Sequence, residues 1–102
     1  MRLEWSPLAL EELDGIARFI GQDRPDAAEE WIDEVFEVVR RLNSFPESGR
    51  VVPEVRHGSI REVIHGRYRI IYRVESVRVS VLTVRHSRQL TSPEDIPECA
   101  DR

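Results

Sequence analysis

Between Tyr68 and Thr83 the chain reads YRIIYRVESVRVSVLT, and little except a β-hairpin accommodates that order. With Glu75-Ser76 as a two-residue turn, Val74 faces Val77, Tyr72 faces Val79, Ile70 faces Val81 and Tyr68 faces Thr83. That face is apolar. The other carries Arg67, Arg69 and Arg73 beside Arg78, Leu82, Val84 and His86. A one-residue slip would turn arginines into the core, so the pattern fixes which face is buried. The period of two begins at Val51: Val51–Arg56, Ile60–His65, Arg67–Val74 and Val77–His86 are strand candidates, punctuated by Gly58, Gly66 and Glu75-Ser76. Pro53 confines the first to an edge or an irregular start.

Upstream the period is helical. After a short strand at Arg2–Trp5, Ser6-Pro7 supplies an N-cap and a first-turn proline. Ala9, Leu13, Ile16, Ala17 and Ile20 then form one apolar stripe, which Gly21 ends. Pro25 opens a second helix whose stripe is Ala28, Trp31, Ile32, Val35, Val39 and Leu42. Asp26, Glu29 and Glu30 near its start and Arg40-Arg41 at its end complement the helix dipole. A short link makes the helices an antiparallel hairpin, and Asn43–Gly49, holding Pro46, is a loop. The expected fold is α+β: an N-terminal strand and a two-helix hairpin packed on one face of a small, mainly antiparallel curved sheet, in the order β-α-α-β-β-β. A basic open face is expected on its other side. Residues 1–90 form the expected domain and 91–102 a short appendage.

Charge is segregated along this order. Met1–Glu47 has five Arg against twelve acids, Ser48–Leu90 nine Arg against three, and Thr91–Arg102 one Arg against four. All fifteen basic residues are Arg, each a permanently charged planar fork suited to carboxylate or phosphate. No apolar run approaches the ~20 residues of a membrane helix, and the N-terminus lacks a signal-peptide core, so a cytoplasmic protein is expected. Cys99 stands alone and reads as an incidental thiol.

Several segments together resemble the ParE/RelE superfamily of type II toxins across nearly the whole chain. They are LEWSPLALEELDGIARFI at 3–20, Pro25-Asp26-Ala27-Ala28, Phe45-Pro46 with Gly49-Arg50, Arg61-Glu62, Gly66, YRIIYRV at 68–74 and VLTVRHSRQ at 81–89. The resemblance implies a cognate antitoxin that wraps the toxin, no cofactor, and one of two activities. ParE-like members poison DNA gyrase, and RelE-like members cleave mRNA in the ribosomal A site. The long helical hairpin and His86-Ser87-Arg88 resemble the ParE, or plasmid stabilisation, branch. The RelE catalytic set is incomplete: Arg69 falls on its conserved arginine, but its lysines fall on Ile60 and Glu62. Its position after the last strand falls on Ser87, and its tyrosine has no counterpart at Pro93.

Cleaving RNA needs a proton acceptor, a donor and charge stabilisation. Arginine supplies only the last. The acid–base candidates are His86, His65 and Glu62, while His65 beside Gly66 and His57 beside Gly58 also read as turn residues. The histidines and Cys99 lack metal-ligand spacing, and neither a Gly-rich phosphate loop nor a nucleophile elbow is present. Tyr68, Tyr72, Trp5 and Trp31 read as packing residues. Glu11, Glu12, Glu29, Asp33 and Glu37 read as solvated helix faces, or as a partner surface.

The sequence therefore leads to an expected gyrase inhibitor, neutralised by antitoxin and forming a toxin–antitoxin hetero-oligomer. Target or antitoxin binding falls to Arg61, Arg67, Arg69, Arg73, Arg78, His86 and Arg88. The alternatives are a ribosome-dependent mRNA endonuclease using Arg69 and His86, and a degenerate toxin that only binds antitoxin.

Overall fold

The computed structural model describes residues 2–96, so Cys99 lies outside the described residues. The elements are β1 (Arg2–Trp5), α1 (Pro7–Gly21), α2 (Pro25–Arg41), β2 (Arg50–Val51), β3 (Ile60–His65), β4 (Tyr68–Val74), β5 (Arg78–His86) and a 3₁₀ turn at Pro93–Asp95. They build an α+β fold on one five-stranded open sheet of order β1-β5-β4-β3-β2. Only β1 and β5 run parallel. Ser6 caps α1 as expected: its Oγ accepts from Ala9 N–H at 3.0 Å and donates to the Leu82 carbonyl at 2.8 Å, tying the helix start to β5.

The helical stripes pack on one face of the sheet. Ala9, Leu13 and Ala17 of α1 and Trp31, Val35 and Val39 of α2 close over Ile70, Val81 and Val84. Trp5 meets Phe36 edge-on with ring centroids 5.2 Å apart, so it is a packing residue. At the loop before β2, Tyr72 is fully buried; its hydroxyl donates to the Pro46 carbonyl at 2.7 Å and accepts from Gly49 N–H at 3.0 Å.

The β4–β5 register departs from the expected one in two steps. Val74 pairs with Val79 and Tyr72 with Val81, so the connection is Glu75–Arg78, closed by Glu75 N–H to the Arg78 carbonyl at 2.9 Å. Two-residue hairpin turns require positive φ, which Gly and Asn supply and Glu75-Ser76 do not. This first shift is of two residues and preserves the faces. A bulge then places Leu82 as an extra residue, because the next pair is Ile71 with Thr83. Beyond it the faces exchange: Ile70 pairs with Val84, Arg69 with Arg85 and Tyr68 with His86. Val84 and His86, expected beside the arginines, therefore lie on the helix side, and Arg85 takes their place. Glu12, expected on a solvated helix face, reaches the bulge and accepts from Thr83 Oγ1 at 2.6 Å and Val84 N–H at 3.1 Å.

The far face is not the open basic surface that was expected. Ile60, Ile71 and Leu82 on that face pack with Val52, Val55 and Ile96, so the loop after β2 and the start of the C-terminal segment cover them. The candidate strand Val51–Arg56 shrinks to Arg50–Val51 and then turns, with Arg56 N–H bonded to the Val52 carbonyl at 2.9 Å and Arg56 at φ 57°. Pro53 lacks the donor that would continue a ladder.

An ion network fastens this cover. Arg69 Nε donates to Glu62 at 2.6 Å, and its two Nη atoms grip Glu54 at 2.7 and 2.9 Å. Glu62 also receives Arg50 Nε at 2.5 Å, and Glu54 receives Thr91 N–H at 3.1 Å. One arginine thus joins β4 to β3, to the covering loop and to the C-terminal segment. Its hydrogen bonds hold the Glu54 carboxyl down to about 2, against burial, with backbone N–H donors adding to the effect.

Two expectations follow for stability. Because the folded value of Glu54 lies below its ordinary 4.5, its contribution is complete above pH 4.5 and lost as pH falls toward 2. Glu54→Gln should lower stability at pH 7 by on the order of 2 kcal/mol and flatten the acid limb of a denaturant-measured stability–pH curve. An acid limb as steep as wild type would remove Glu54 from that role. At Gly49, a Cβ would stand 2.5 Å from both the Glu62 carbonyl oxygen and the Tyr72 hydroxyl. Gly49→Ala should therefore destabilise by about 1–3 kcal/mol in urea unfolding, since backbone would have to move.

Candidate functional site

The expected site residues separate into three groups. Arg69, the counterpart of the nuclease arginine, is 5% exposed in its side chain and fully engaged by two carboxylates and the Gln89 carbonyl, 3.0 Å away. Its partner Glu62 is sealed and is held by both Arg69 and Arg50. Arg61 donates to the Gly49 carbonyl at 2.9 Å with Glu47 3.9 Å away, and Arg78 lies between Glu4 and Glu75 at 3.2 and 3.1 Å. Arg73 is buried on the covered face. From outside the β4–β5 hairpin, Glu62 of β3 and Glu54 of the covering loop bring carboxylates to the arginine face. Of the other histidines, His65 ends β3 and meets Glu34 of α2 at 2.9 Å, while His57 accepts from Ser59 in its turn.

Arg67, His86 and Arg88 do come together, at the end of the sheet where β4 starts and β5 stops. Gly66 makes the β3–β4 turn at φ 59°, a conformation that glycine adopts freely. Ser87 N–H bonds to the Arg67 carbonyl at 2.7 Å, extending the pairing past β5. His86 Nδ1 accepts from Arg88 N–H at 3.1 Å, which puts the proton of the neutral ring on Nε2. Gly66, Arg67, His86, Ser87 and Arg88 line a polar cleft of about 360 Å³, and none of them is acidic. Both arginines are exposed.

His86 also lines a second cavity. A groove of about 430 Å³ runs between α1 and the end of β5. Gly15, Ile16 and Phe19 come from the helix and Tyr68 and Val84 from the strands, with Glu12, Arg85, His86 and Gln89 completing the lining. Tyr68 is held edge-on between Trp31 and His86, at centroid distances of 5.3 and 5.8 Å. Phe19 stands 69% exposed beside it. Gly15 sits mid-helix, where it costs about 1 kcal/mol relative to Ala, and a Cβ there would meet nothing within 4 Å. Its missing side chain keeps the groove open.

The sequence reading missed this groove. Its available signals were Gly15 inside an otherwise regular helix and Phe19 lying off the apolar stripe. Chemically, the combined site offers apolar surface next to uncompensated positive charge, which suits an apolar segment carrying acidic groups. Among the described residues no group of three His, Cys, Asp or Glu could hold a metal, and no helix is long and apolar enough to cross a membrane.

Comparison with known proteins agrees with this architecture. Residues 3–91 match the family described as ParE toxin of type II toxin-antitoxin system, parDE. The chain is 38% identical over 90 residues to "Putative toxin Y4kP" of Sinorhizobium fredii (strain NBRC 101917 / NGR234), covering 86% of this chain and 90% of that protein. A chain from the solved structure "Chromosomal ParDE TA system from P. aeruginosa" shares the fold, with a TM-score of 0.71 at 20% identity over 84% of this chain and 95% of that one. The chain belongs to the ParE toxin family of type II toxin-antitoxin systems.

Proposed function

We propose that this toxin acts inside the cell by inhibiting DNA gyrase through protein–protein contact, and that a cognate antitoxin neutralises it by seating an apolar, acid-flanked segment in the α1–β5 groove. The observation that carries the antitoxin reading is the continuity of that groove with the Arg67–Arg88 cleft through His86. Apolar burial supplies affinity, and the two exposed arginines select and orient an acidic flank. The gyrase reading draws on membership of the ParE family together with the state of Arg69. A nuclease would need that guanidinium at a scissile phosphate, whereas here two carboxylates already neutralise it. A toxin–antitoxin hetero-oligomer is the expected resting form.

Two measurements test these statements separately. Purified toxin should inhibit gyrase supercoiling and leave mRNA on translating ribosomes intact; ribosome-dependent cuts with gyrase unaffected would refute the target. Gly15→Leu projects into open groove space and removes a helix-weakening glycine, so it should fold at least as stably as wild type. It should nevertheless bind antitoxin at least about tenfold more weakly by calorimetry, as expected for a filled central pocket. Unchanged affinity would move the antitoxin elsewhere on the surface.

A further inference from the structure

Arg73 has an environment unlike that of any other arginine among the described residues. It is 7% exposed, and its guanidinium makes no hydrogen bond or ion pair with any described residue. Arg24, Arg41, Arg56, Arg67 and Arg88 also lack a carboxylate partner, but all five are exposed to water. The buried Arg69, two pleat repeats back on the same face of β4, is paired with two carboxylates. Arginine cannot shed its charge by deprotonation, and an uncompensated buried ion is strongly unfavourable.

Among the described residues no carboxylate bonds to its guanidinium. Across the sheet Arg73 pairs with Ile60 of β3 and Ser80 of β5. Ile60 is apolar and sealed, and the Ser80 hydroxyl donates to Glu75 at 2.8 Å. Two carboxylates stand near this end of the sheet: Glu75 is engaged by Ser80 and by Arg78 Nε at 3.1 Å, and Glu4, across β5 from Arg73, by Arg2 at 2.8 Å and Arg78 at 3.2 Å. Of the three guanidinium nitrogens, Nε alone is both sealed from water and without a partner, so the residual exposure of the head lies at the Nη end. Two parallel N–H donors at that end match the two oxygens of a carboxylate or phosphate.

We propose that Arg73 is the seat of a small oxoanion, a carboxylate or a phosphate group, at the end of the sheet remote from the groove and on its opposite face. The site is independent of the gyrase and antitoxin readings. An anion entering there pairs a charge that no described residue pairs and stabilises the folded state by linkage.

The test uses ¹⁵N-labelled full-length toxin, with the Arg73 Nε–H assigned through its own side chain. Sodium phosphate and sodium acetate are titrated separately at an ionic strength fixed with sodium chloride. The Arg73 Nε–H should shift saturably, with half-saturation on the order of millimolar, while the exposed Arg67 and Arg88 do not saturate. Response to phosphate alone assigns a phosphate ligand; response to acetate as well assigns the carboxylate class. In parallel, low concentrations of the same anion should raise the wild-type Tm, and R73M should lose that rise while melting no lower than wild type in chloride. Absence of a saturable Arg73 shift with both anions, or the same Tm response in R73M, overturns the proposal. The wild-type titration decides the matter even if R73M does not fold.

Discussion

The clamp of Arg69 between Glu62 and Glu54 is the contact on which the covered half of the molecule depends. Without it the loop after β2 and the segment beginning at Thr91 would be held to the sheet by the packing of Val52, Val55 and Ile96, by Val52 N–H on the Ile60 carbonyl and by Arg85 on Thr91 and Asp95. Placing three charges in a mostly dry site is unfavourable unless each finds geometry close to ideal. Here the guanidinium uses its Nε edge for one carboxylate and its Nη end for the other, an arrangement that a lysine could not reproduce. Arg50 completes Glu62, and Thr91 N–H completes Glu54. The same clamp occupies the residue that the family resemblance aligns with a nuclease arginine.

Much of the fold was legible because its signals are local and periodic. The helical stripes, the Ser6-Pro7 cap and the apolar side of β4 are set by residues that the chain itself spaces correctly. The turn between β4 and β5 was not, because an apolar alternation is equally satisfied by registers that differ by two residues. The bulge at Leu82 was invisible for a different reason. It is stabilised from outside the hairpin, by Glu12 on α1, and no pattern within β5 announces that partner.

The charge pattern shows the same limit. Counting correctly found a strongly basic Ser48–Leu90 segment, but counting does not pair charges. Glu54 lies fifteen positions from Arg69 in a loop that reads as a failed strand, and only the fold of that loop brings its carboxylate over the sheet. Of the seven residues singled out, Arg67, His86 and Arg88 share one cleft because they flank a single pair of strand ends. Arg61, Arg69, Arg73 and Arg78 are spread along the sheet, and three of them bond to groups within the chain.

The bulge also connects fold to surface. Had β5 continued in the simple register, His86 would have stood with Arg69 on the covered face. One inserted residue turns the strand end over, so that His86 lines the groove and the arginine cleft together. Bulges commonly re-aim side chains at functional edges. In this toxin the feature that defeats register prediction is the one that makes apolar and cationic surfaces continuous. Glu12 therefore does two things in this architecture: it satisfies the distorted backbone at Val84 and it forms part of the groove lining.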